Sequence, residues 1–124
     1  MTNTELCAEL FRAFQSGDEE RARSLCSDDL VARQNNNPPM DIDALLAMSR
    51  SVHGVVSDFR YEEVTRSETK TGFVEEHRVR GVLGDGSVID VPVCVVGDVI
   101  DGKVASLREY LDLSAVAKLI ATAA

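Results

Sequence analysis

The apolar residues in the first half of the chain recur at the spacing of α-helices. Residues 2–5 have the Thr-x-x-Glu pattern of a capping box, and apolar side chains then follow three or four positions apart until Gly17. A second, short helix is predicted to run through about Leu25. A third is predicted from about Asp41 to near Gly54, because its apolar residues share one face. These helices are expected to cover another apolar layer.

The remaining pattern alternates with the period of two that is typical of β-strands. A short strand is predicted at residues 30–33, a loop rich in Asn and Pro at 35–39, and a strand at 59–66. Turn signals at Asp85-Gly86 and Asp101-Gly102 then join three consecutive strands. These strands are predicted at residues 73–82, 87–99 and 103–111, and a last short helix at 114–123. This order predicts an α+β fold, with helices packed on one face of a curved sheet and a pocket between the two layers.

Charged residues interrupt the apolar face of the three consecutive strands. Regular alternation places Glu76, Arg78 and Glu109 on the concave face. A bulge in the first of these strands would instead turn Glu75 and His77 toward the pocket. The apolar residues of the same face are predicted to be Val91, Val93, Val95, Leu107 and Leu111.

This arrangement admits two interpretations of the charged residues. A carboxyl group between Leu107 and Leu111 would be desolvated, which raises the pKa of Glu109 and suits a general acid or base. An adjacent Arg78 would lower the same pKa and would make Glu76, Arg78 and Glu109 a charge-balanced buried network. The pattern alone therefore predicts either a catalytic site or a structural one.

Composition limits the class of protein. The chain has 124 residues, of which 44% are hydrophobic and 27% charged, as in a single globular domain over residues 1–124. A net charge of −8 with scattered basic residues argues against nucleic acid and anionic membranes as partners. The sequence shows neither a signal-peptide pattern nor an apolar run near the ~20 residues of a membrane span. We therefore expect a cytoplasmic protein.

The cysteines and other ligating residues predict no metal site. Cys7, Cys26 and Cys94 are far apart and lie in apolar stretches, which fits neither a disulfide framework nor a zinc site. We expect them to be buried free thiols. The sequence also has no His, Cys, Asp and Glu cluster at metal-ligand spacing and no glycine-rich phosphate loop. No cofactor is required by this reading.

Several short motifs accompany the order of elements and carry a family resemblance. The motifs are Phe14-x-x-Gly17-Asp18, Asp101-Gly102-Lys103-Val104 and Leu107-Arg108-Glu109-Tyr110-Leu111-Asp112. Over nearly the whole chain, the sequence resembles the nuclear transport factor 2-like superfamily, and most of all its SnoaL-like branch of polyketide cyclases, limonene epoxide hydrolases and ketosteroid isomerase relatives. The resemblance implies a cystatin-like fold: a cone-shaped, curved sheet, mostly antiparallel but mixed, with the N-terminal helices on its concave face.

The epoxide hydrolase subgroup implies specific site residues. Its catalytic aspartate falls on Glu109, and its Arg-x-Asp pair falls on Glu76 and Arg78 with the charges exchanged. Its Tyr-x-Asn pair falls on Arg33 and Asn35, so that the water-positioning Asn is matched. The polyketide cyclases combine an acid/base carboxylate with a nearby His, which here suggests Glu109 and His77. The implied site has catalytic Glu109, Arg78 and Glu76 and substrate-binding Asn35, His77 and Arg33.

The function implied by the resemblance has two alternatives. One is acid/base catalysis of the isomerase, cyclase or hydrolase type on a small, apolar, oxygen-bearing ligand, with Glu109 as the acid or base and Arg78 as its partner. The other is a binding or dimerisation module of the same fold without catalysis. In both cases we expect a homodimer that pairs through the outer face of the sheet, with Tyr110 near the contact.

Overall fold

The computed structural model describes residues 1–112, 114–115 and 117. The short helix predicted at residues 114–123 falls almost entirely outside these described residues. No helix of the described part is long and apolar enough to cross a membrane.

The three predicted N-terminal helices are present, and each begins at a side-chain cap. Thr2, Asp18 and Asp41 each accept a hydrogen bond from the backbone N–H three residues later, which satisfies a donor that the helix leaves free. Gly17 ends the first helix in the left-handed conformation, with φ of 73°. The helices are α1 (Asn3–Ser16), α2 (Glu19–Leu25) and α3 (Ile42–Val55).

The strands form one five-stranded sheet in the order β1-β5-β4-β3-β2. The first strand is parallel to the last, and all other neighbours are antiparallel, which confirms the predicted mixed sheet and the α+β class. The first two strands are longer than the sequence pattern predicted. The strands are β1 (Cys26–Gln34), β2 (Val56–Glu68), β3 (Gly72–Leu83), β4 (Val88–Ile100) and β5 (Lys103–Leu111).

The turn between β3 and β4 decides which side chains face inward. Leu83 N–H donates to the carbonyl of Ser87, so the loop between these two residues has three members rather than the two of Asp85-Gly86. Gly86 lies in the left-handed region, with φ of 85°, as the last position of such a loop requires. Odd-numbered residues of β3 consequently lie opposite odd-numbered residues of β4.

This register corrects the expected faces of β3. His77 pairs with Val93 and Glu75 with Val95, and both His77 and Glu75 are buried on the concave side. Glu76 and Arg78 alternate to the outer face, where Glu76 is exposed. A two-residue turn would have reversed these positions, and the expectation that Glu76 and Arg78 end the pocket was wrong for this reason.

A bulge in β5 brings Glu109 to the concave face. The turn itself has two residues, Asp101 and Gly102, both with positive φ, and that register would place Arg108 opposite Val95. One extra residue at Ala105 shifts the pairing, so Glu109 lies opposite Val95 instead. The predicted inward position of Glu109 is confirmed.

Both edge strands are irregular. β2 is interrupted by two register shifts against β3, next to Asp58 and Glu63, which have φ of 54° and 53°. The outer side of β1 is occupied by Met40, whose backbone exchanges two hydrogen bonds of 2.8 Å with Ala32. The second of the β2 shifts also changes which residues of that strand face inward.

The core lies between the concave face of the sheet and α1 and α3. Two of the predicted free thiols, Cys7 and Cys26, are buried, and Cys94 is half-buried. Burial raises the pKa of Cys26 to about 11 and also raises the pKa of Cys7 and Cys94. The thiols are therefore neutral packing groups at physiological pH. The most deeply buried large side chains are Phe73, Leu10, Leu30, Leu46, Glu75 and Val95.

Candidate active site

A cavity of about 130 Å³ lies between the concave face of the sheet and the two longer helices. Helix α1 supplies two of its aromatic side chains, and β4 supplies three valines on alternating positions. The polar groups are fewer and come mainly from the ends of β1 and β5 and from the middle of β2 and β3. The apolar wall includes Phe11, Phe14, Phe59, Val91, Val93 and Val95, and the polar side chains are Gln34, Ser49, Tyr61, His77 and Glu109.

Glu109 is held in the cavity wall by Gln34. The parallel pairing of β1 with β5 places these residues side by side, and Gln34 Nε2 donates to Glu109 Oε1 at 2.9 Å. Burial raises the pKa of Glu109, while the hydrogen bond from Gln34 and the positive charge of His77, when that ring is protonated, partly oppose this rise. The carboxyl group is thereby moved toward the range in which it exchanges protons near neutral pH.

His77 is fixed in the opposite part of the same wall. Its Nδ1 lies 2.5 Å from Oε2 of Glu75, and Arg66 Nε donates to Oε1 of Glu75 at 2.5 Å. Cys7 Sγ also lies 3.5 Å from this Oε1. Glu75 is fully buried, so its charge is balanced by Arg66 rather than by solvent. The sequence predicted His77 as a pocket residue only if β3 turned Glu75 and His77 inward, and the structure has this register.

Tyr61 lies beside His77 in the same wall. Its ring centroid lies 4.5 Å from that of His77 and 5.2 Å from that of Phe11. Burial raises the pKa of Tyr61 well above its usual value, and the nearby carboxyl groups of Glu109 and Glu75 add to this rise. The phenol therefore stays protonated and can donate a hydrogen bond to a ligand oxygen.

Four predicted site residues do not line the cavity. Arg78 pairs with Asp90 on the outer face at 2.7 Å, next to the exposed Glu76. Arg33 is exposed. Asn35 uses its side chain on the backbone of Leu111, donating through Nδ2 and accepting through Oδ1, both at 3.0 Å.

The role of Asn35 is structural in this arrangement. Its backbone N–H also donates to the carbonyl of Glu109 at 2.9 Å, so Asn35 extends the parallel pairing beyond the end of β1. With φ of 48°, it turns the chain out of the strand, while its side chain stays hydrogen-bonded to β5. Asn35 therefore fixes the backbone of β5 from Glu109 to Leu111.

The sequence interpretation missed Gln34 and Tyr61. Gln34 is one residue before the residue that the resemblance indicated, and only the parallel pairing with Glu109 reveals it. Tyr61 carried a weaker signal, since Phe59 and Tyr61 are two residues apart in a predicted strand and share its inner face.

The raised pKa of Glu109 predicts a pH-dependent difference in stability for Glu109→Gln. A carboxyl group whose pKa is raised by folding stabilises the native state below its unfolded pKa of ~4.3, and this contribution is lost as pH rises through the folded pKa. Glutamine is neutral throughout and can still accept from Gln34. We expect the variant to gain stability over the parent chain between about pH 4 and pH 7, by about 1.4 kcal/mol for each unit by which the pKa is raised. Urea unfolding across this range measures it.

Glu76→Gln is the matched control for this measurement, because Glu76 is exposed on the outer face of β3. Its difference from the parent chain should not grow with pH. If the curve for Glu109→Gln runs parallel to that of the parent chain, the carboxyl group is not desolvated by folding.

Solved structures of the same fold include three whose names span different chemistries. A proposed polyketide cyclase from Xanthomonas campestris pv. campestris has 19% identity and a TM-score of 0.82, over 98% of this chain and 96% of that one. An LEH-like epoxide hydrolase from M. tuberculosis has 19% identity and a TM-score of 0.74, over 97% and 90%. A protein with a ketosteroid isomerase-like fold from Catenulispora acidiphila, in complex with trimethylamine, has 13% identity and a TM-score of 0.80, over 99% and 94%.

These similarities show the nuclear transport factor 2-like fold and not a particular reaction. No curated protein sequence matches the chain significantly. The family model of the SnoaL-like domain matches residues 7–107, which include most of α1, all of β4 and the first five residues of β5. The chain therefore belongs to the SnoaL-like domain family.

Proposed function

We propose that this protein is an acid/base catalyst of the isomerase, cyclase or hydrolase type that acts on a small, largely apolar molecule bearing oxygen. The observation that carries the proposal is the state of Glu109. Its carboxyl group lies in an apolar cavity, its pKa is raised by burial, and Gln34 fixes its orientation without supplying a charge. A desolvated, oriented carboxyl group is the arrangement that general acid/base catalysis requires.

The dimensions of the cavity limit the ligand. At about 130 Å³, the cavity is close to the ~150 Å³ that holds one benzene ring in an engineered apolar cavity. One ring or a short branched chain would therefore fit inside, and the rest of a larger molecule would extend through the opening. The walls offer few polar groups, so the buried part should be apolar except for oxygens that meet Tyr61, His77 and Glu109.

The polar groups suggest how a reaction would proceed. Glu109 transfers a proton to or from the ligand, and Tyr61 donates a hydrogen bond to an oxygen on which negative charge develops. Gln34 keeps the second carboxyl oxygen from rotating away. These roles serve an isomerisation, a ring closure and the opening of an epoxide alike, and the names of the structural neighbours span the same range.

A panel of small compounds tests the proposal. Epoxides, ketones with exchangeable α-hydrogens and polyketide-like compounds are incubated with the protein in D₂O, and products and deuterium incorporation are followed by NMR and mass spectrometry. We expect turnover of one class and its loss in Val93→Phe, which fills the cavity next to His77. Val96→Phe is the matched control, since Val96 points to the outer face of the same strand. Turnover that survives Val93→Phe would place the reaction elsewhere.

The second candidate is a binding module without catalysis, and one observation favours it. The charges of Glu75 and Arg66 satisfy each other and His77, as expected of a structural network. Ligand binding in the panel without turnover of any class would support this alternative. For either function we propose a homodimer through the outer face of the sheet, where Pro92 and Tyr110 are exposed and Cys94 is half-buried, and light scattering would give its mass.

A further inference from the structure

The two ring nitrogens of His77 have different surroundings. Nδ1 lies 2.5 Å from Oε2 of Glu75. The other oxygen of Glu75 already accepts from Arg66 Nε and faces the thiol of Cys7. A carboxylate paired with a guanidinium is an acceptor only, so the hydrogen in the contact with His77 must come from Nδ1.

The position of this hydrogen determines the state of Nε2. A neutral imidazole carries a single N–H, and when Nδ1 holds it, Nε2 is a bare acceptor. None of the described residues forms a hydrogen bond with Nε2. Among the described residues, every fully buried side-chain nitrogen or oxygen has a hydrogen-bond partner. Nε2 is therefore not fully buried and is accessible from the cavity or from solvent. The ring lines the cavity and is held in place by the rings of Phe11 and Tyr61.

We propose that Glu75 and Arg66 are positioning residues that hold His77 in the Nδ1–H tautomer, so that Nε2 serves as a second proton acceptor in the cavity. Arg66 fixes Glu75 as a carboxylate, and Glu75 fixes the ring. Arg66 reaches this position from β2 because the strand shifts register between Glu62 and Thr65. This inference rests on the acid/base function proposed above and adds a second acid/base group to it.

The tautomer specifies the ligand group that meets His77. A bare nitrogen accepts only, so the ligand must present a donor there, for which a hydroxyl group is the simplest choice. When the ligand O–H bond breaks, the proton forms a new N–H bond at Nε2, and the electron pair stays on the oxygen. Glu75 continues to accept the hydrogen bond from Nδ1 of the imidazolium, and Tyr61 can donate to the oxygen. The substrate class is thus a small apolar molecule with a hydroxyl group beside the group that Glu109 protonates or deprotonates.

The second histidine of the chain provides an internal reference. His53 Nε2 lies 2.7 Å from the backbone carbonyl oxygen of Phe14, and a carbonyl oxygen can only accept. The neutral ring of His53 must therefore carry its hydrogen on Nε2. The two histidines are expected to be opposite tautomers in one molecule, which a single spectrum can show.

Two-bond ¹H–¹⁵N correlation spectra of the ¹⁵N-labelled chain test the proposal without a substrate. At alkaline pH, where a neutral imidazole carries a single N–H, one ring should show a protonated Nδ1 and the other a protonated Nε2. His53→Gln assigns the signals, since the remaining set belongs to His77. A His77 ring with hydrogen on Nε2, whether alone or together with Nδ1, would overturn the proposal.

Glu75→Gln tests the positioning role. An amide offers one oxygen, and if this oxygen meets Arg66, the NH₂ group faces Nδ1 and requires it to be bare. We therefore expect the tautomer of His77 to invert, with its hydrogen moving to Nε2. Glu62→Gln, which removes a half-buried carboxylate that pairs with Arg60 and Arg80, is the matched control and should leave the spectrum unchanged. An unchanged His77 tautomer in Glu75→Gln would also overturn the proposal, and if that variant fails to fold, the spectrum of the parent chain still decides.

The experiment separates this inference from the proposed function. Glu109→Gln should retain the Nδ1–H tautomer of His77, because Glu109 lies on another strand and does not contact Glu75. Turnover that persists in Glu109→Gln together with the expected tautomer would contradict only the role of Glu109. A wrong tautomer together with lost turnover in Glu109→Gln would contradict only the role of Glu75 and Arg66.

Discussion

Glu109→Gln should lower kcat/KM by about 10²–10⁴-fold on whichever compound class the protein turns over. Glutamine has the size of glutamate and can still accept the hydrogen bond from Gln34, so the cavity and its affinity for the ligand should be retained. It cannot take up or release a proton, and the loss should therefore appear in kcat rather than in KM. Initial rates over a range of substrate concentrations separate the two constants.

The matched control is Glu76→Gln, which makes the same chemical change on the outer face of β3. This variant should keep the parent rate, although the sequence pattern had placed Glu76 among the catalytic residues. Comparable kcat values for Glu109→Gln and the parent chain would show that the carboxyl group of Glu109 carries no proton in the rate-limiting step. His77 and Tyr61 would then be the remaining titratable side chains in the described cavity wall.

Glu75→Ala should destabilise the protein by about 3–5 kcal/mol in equilibrium urea unfolding. Glu75 is fully buried and accepts hydrogen bonds from Arg66 and His77, so its removal leaves both donors without their acceptor and opens a cavity. The loss should be visible at neutral pH, where this carboxylate balances the guanidinium. The substitution should also weaken the attachment of the edge strand β2, because Arg66 of β2 donates to Glu75.

Glu62→Ala is the control for this measurement, because it removes a solvent-accessible partner of Arg60 and Arg80 and should cost less than about 1 kcal/mol. Replacing Glu75 by Leu and Arg66 by Met together should recover part of the stability, since a buried carboxylate is costly to separate from its partner and less costly to replace by an apolar group. A loss below about 1 kcal/mol in Glu75→Ala would show that the pair of Glu75 and Arg66 contributes little to folding.

The fold followed from local signals in the sequence, and the inward position of Glu109 followed from its alternation with Leu107 and Leu111. Helix caps, apolar periodicity and turn residues each depend on a few neighbouring positions, and they indicated three helices and five strands in the observed order. The face of β3 depended on one further number, the length of the loop between Leu83 and Ser87. Asp85-Gly86 is a strong hairpin signal, but it fits both a two-residue turn and the end of a three-residue loop, and the two assign opposite faces.

The partners of the site residues were beyond the reach of local signals. Tyr61 and Arg66 both face inward although an odd number of positions separates them, because the register shift between Glu62 and Thr65 reverses the alternation. Gln34 meets Glu109 through a parallel pairing between residues 75 positions apart. Neither a bulge nor a long-range parallel pairing leaves a fixed pattern of residue types in the sequence.

The irregular edges of the sheet have a consequence for how copies of the chain can associate. An open edge strand can add a strand from another molecule, which is the first step of many aggregation processes. On one edge, Asp58 and Glu63 bend β2 and place charges beside it, and on the other, Met40 already occupies the hydrogen-bonding groups of Ala32. Strand addition to the native chain is thus hindered at both edges of the sheet. Aggregation by this route should begin from molecules in which Met40 has first detached from β1.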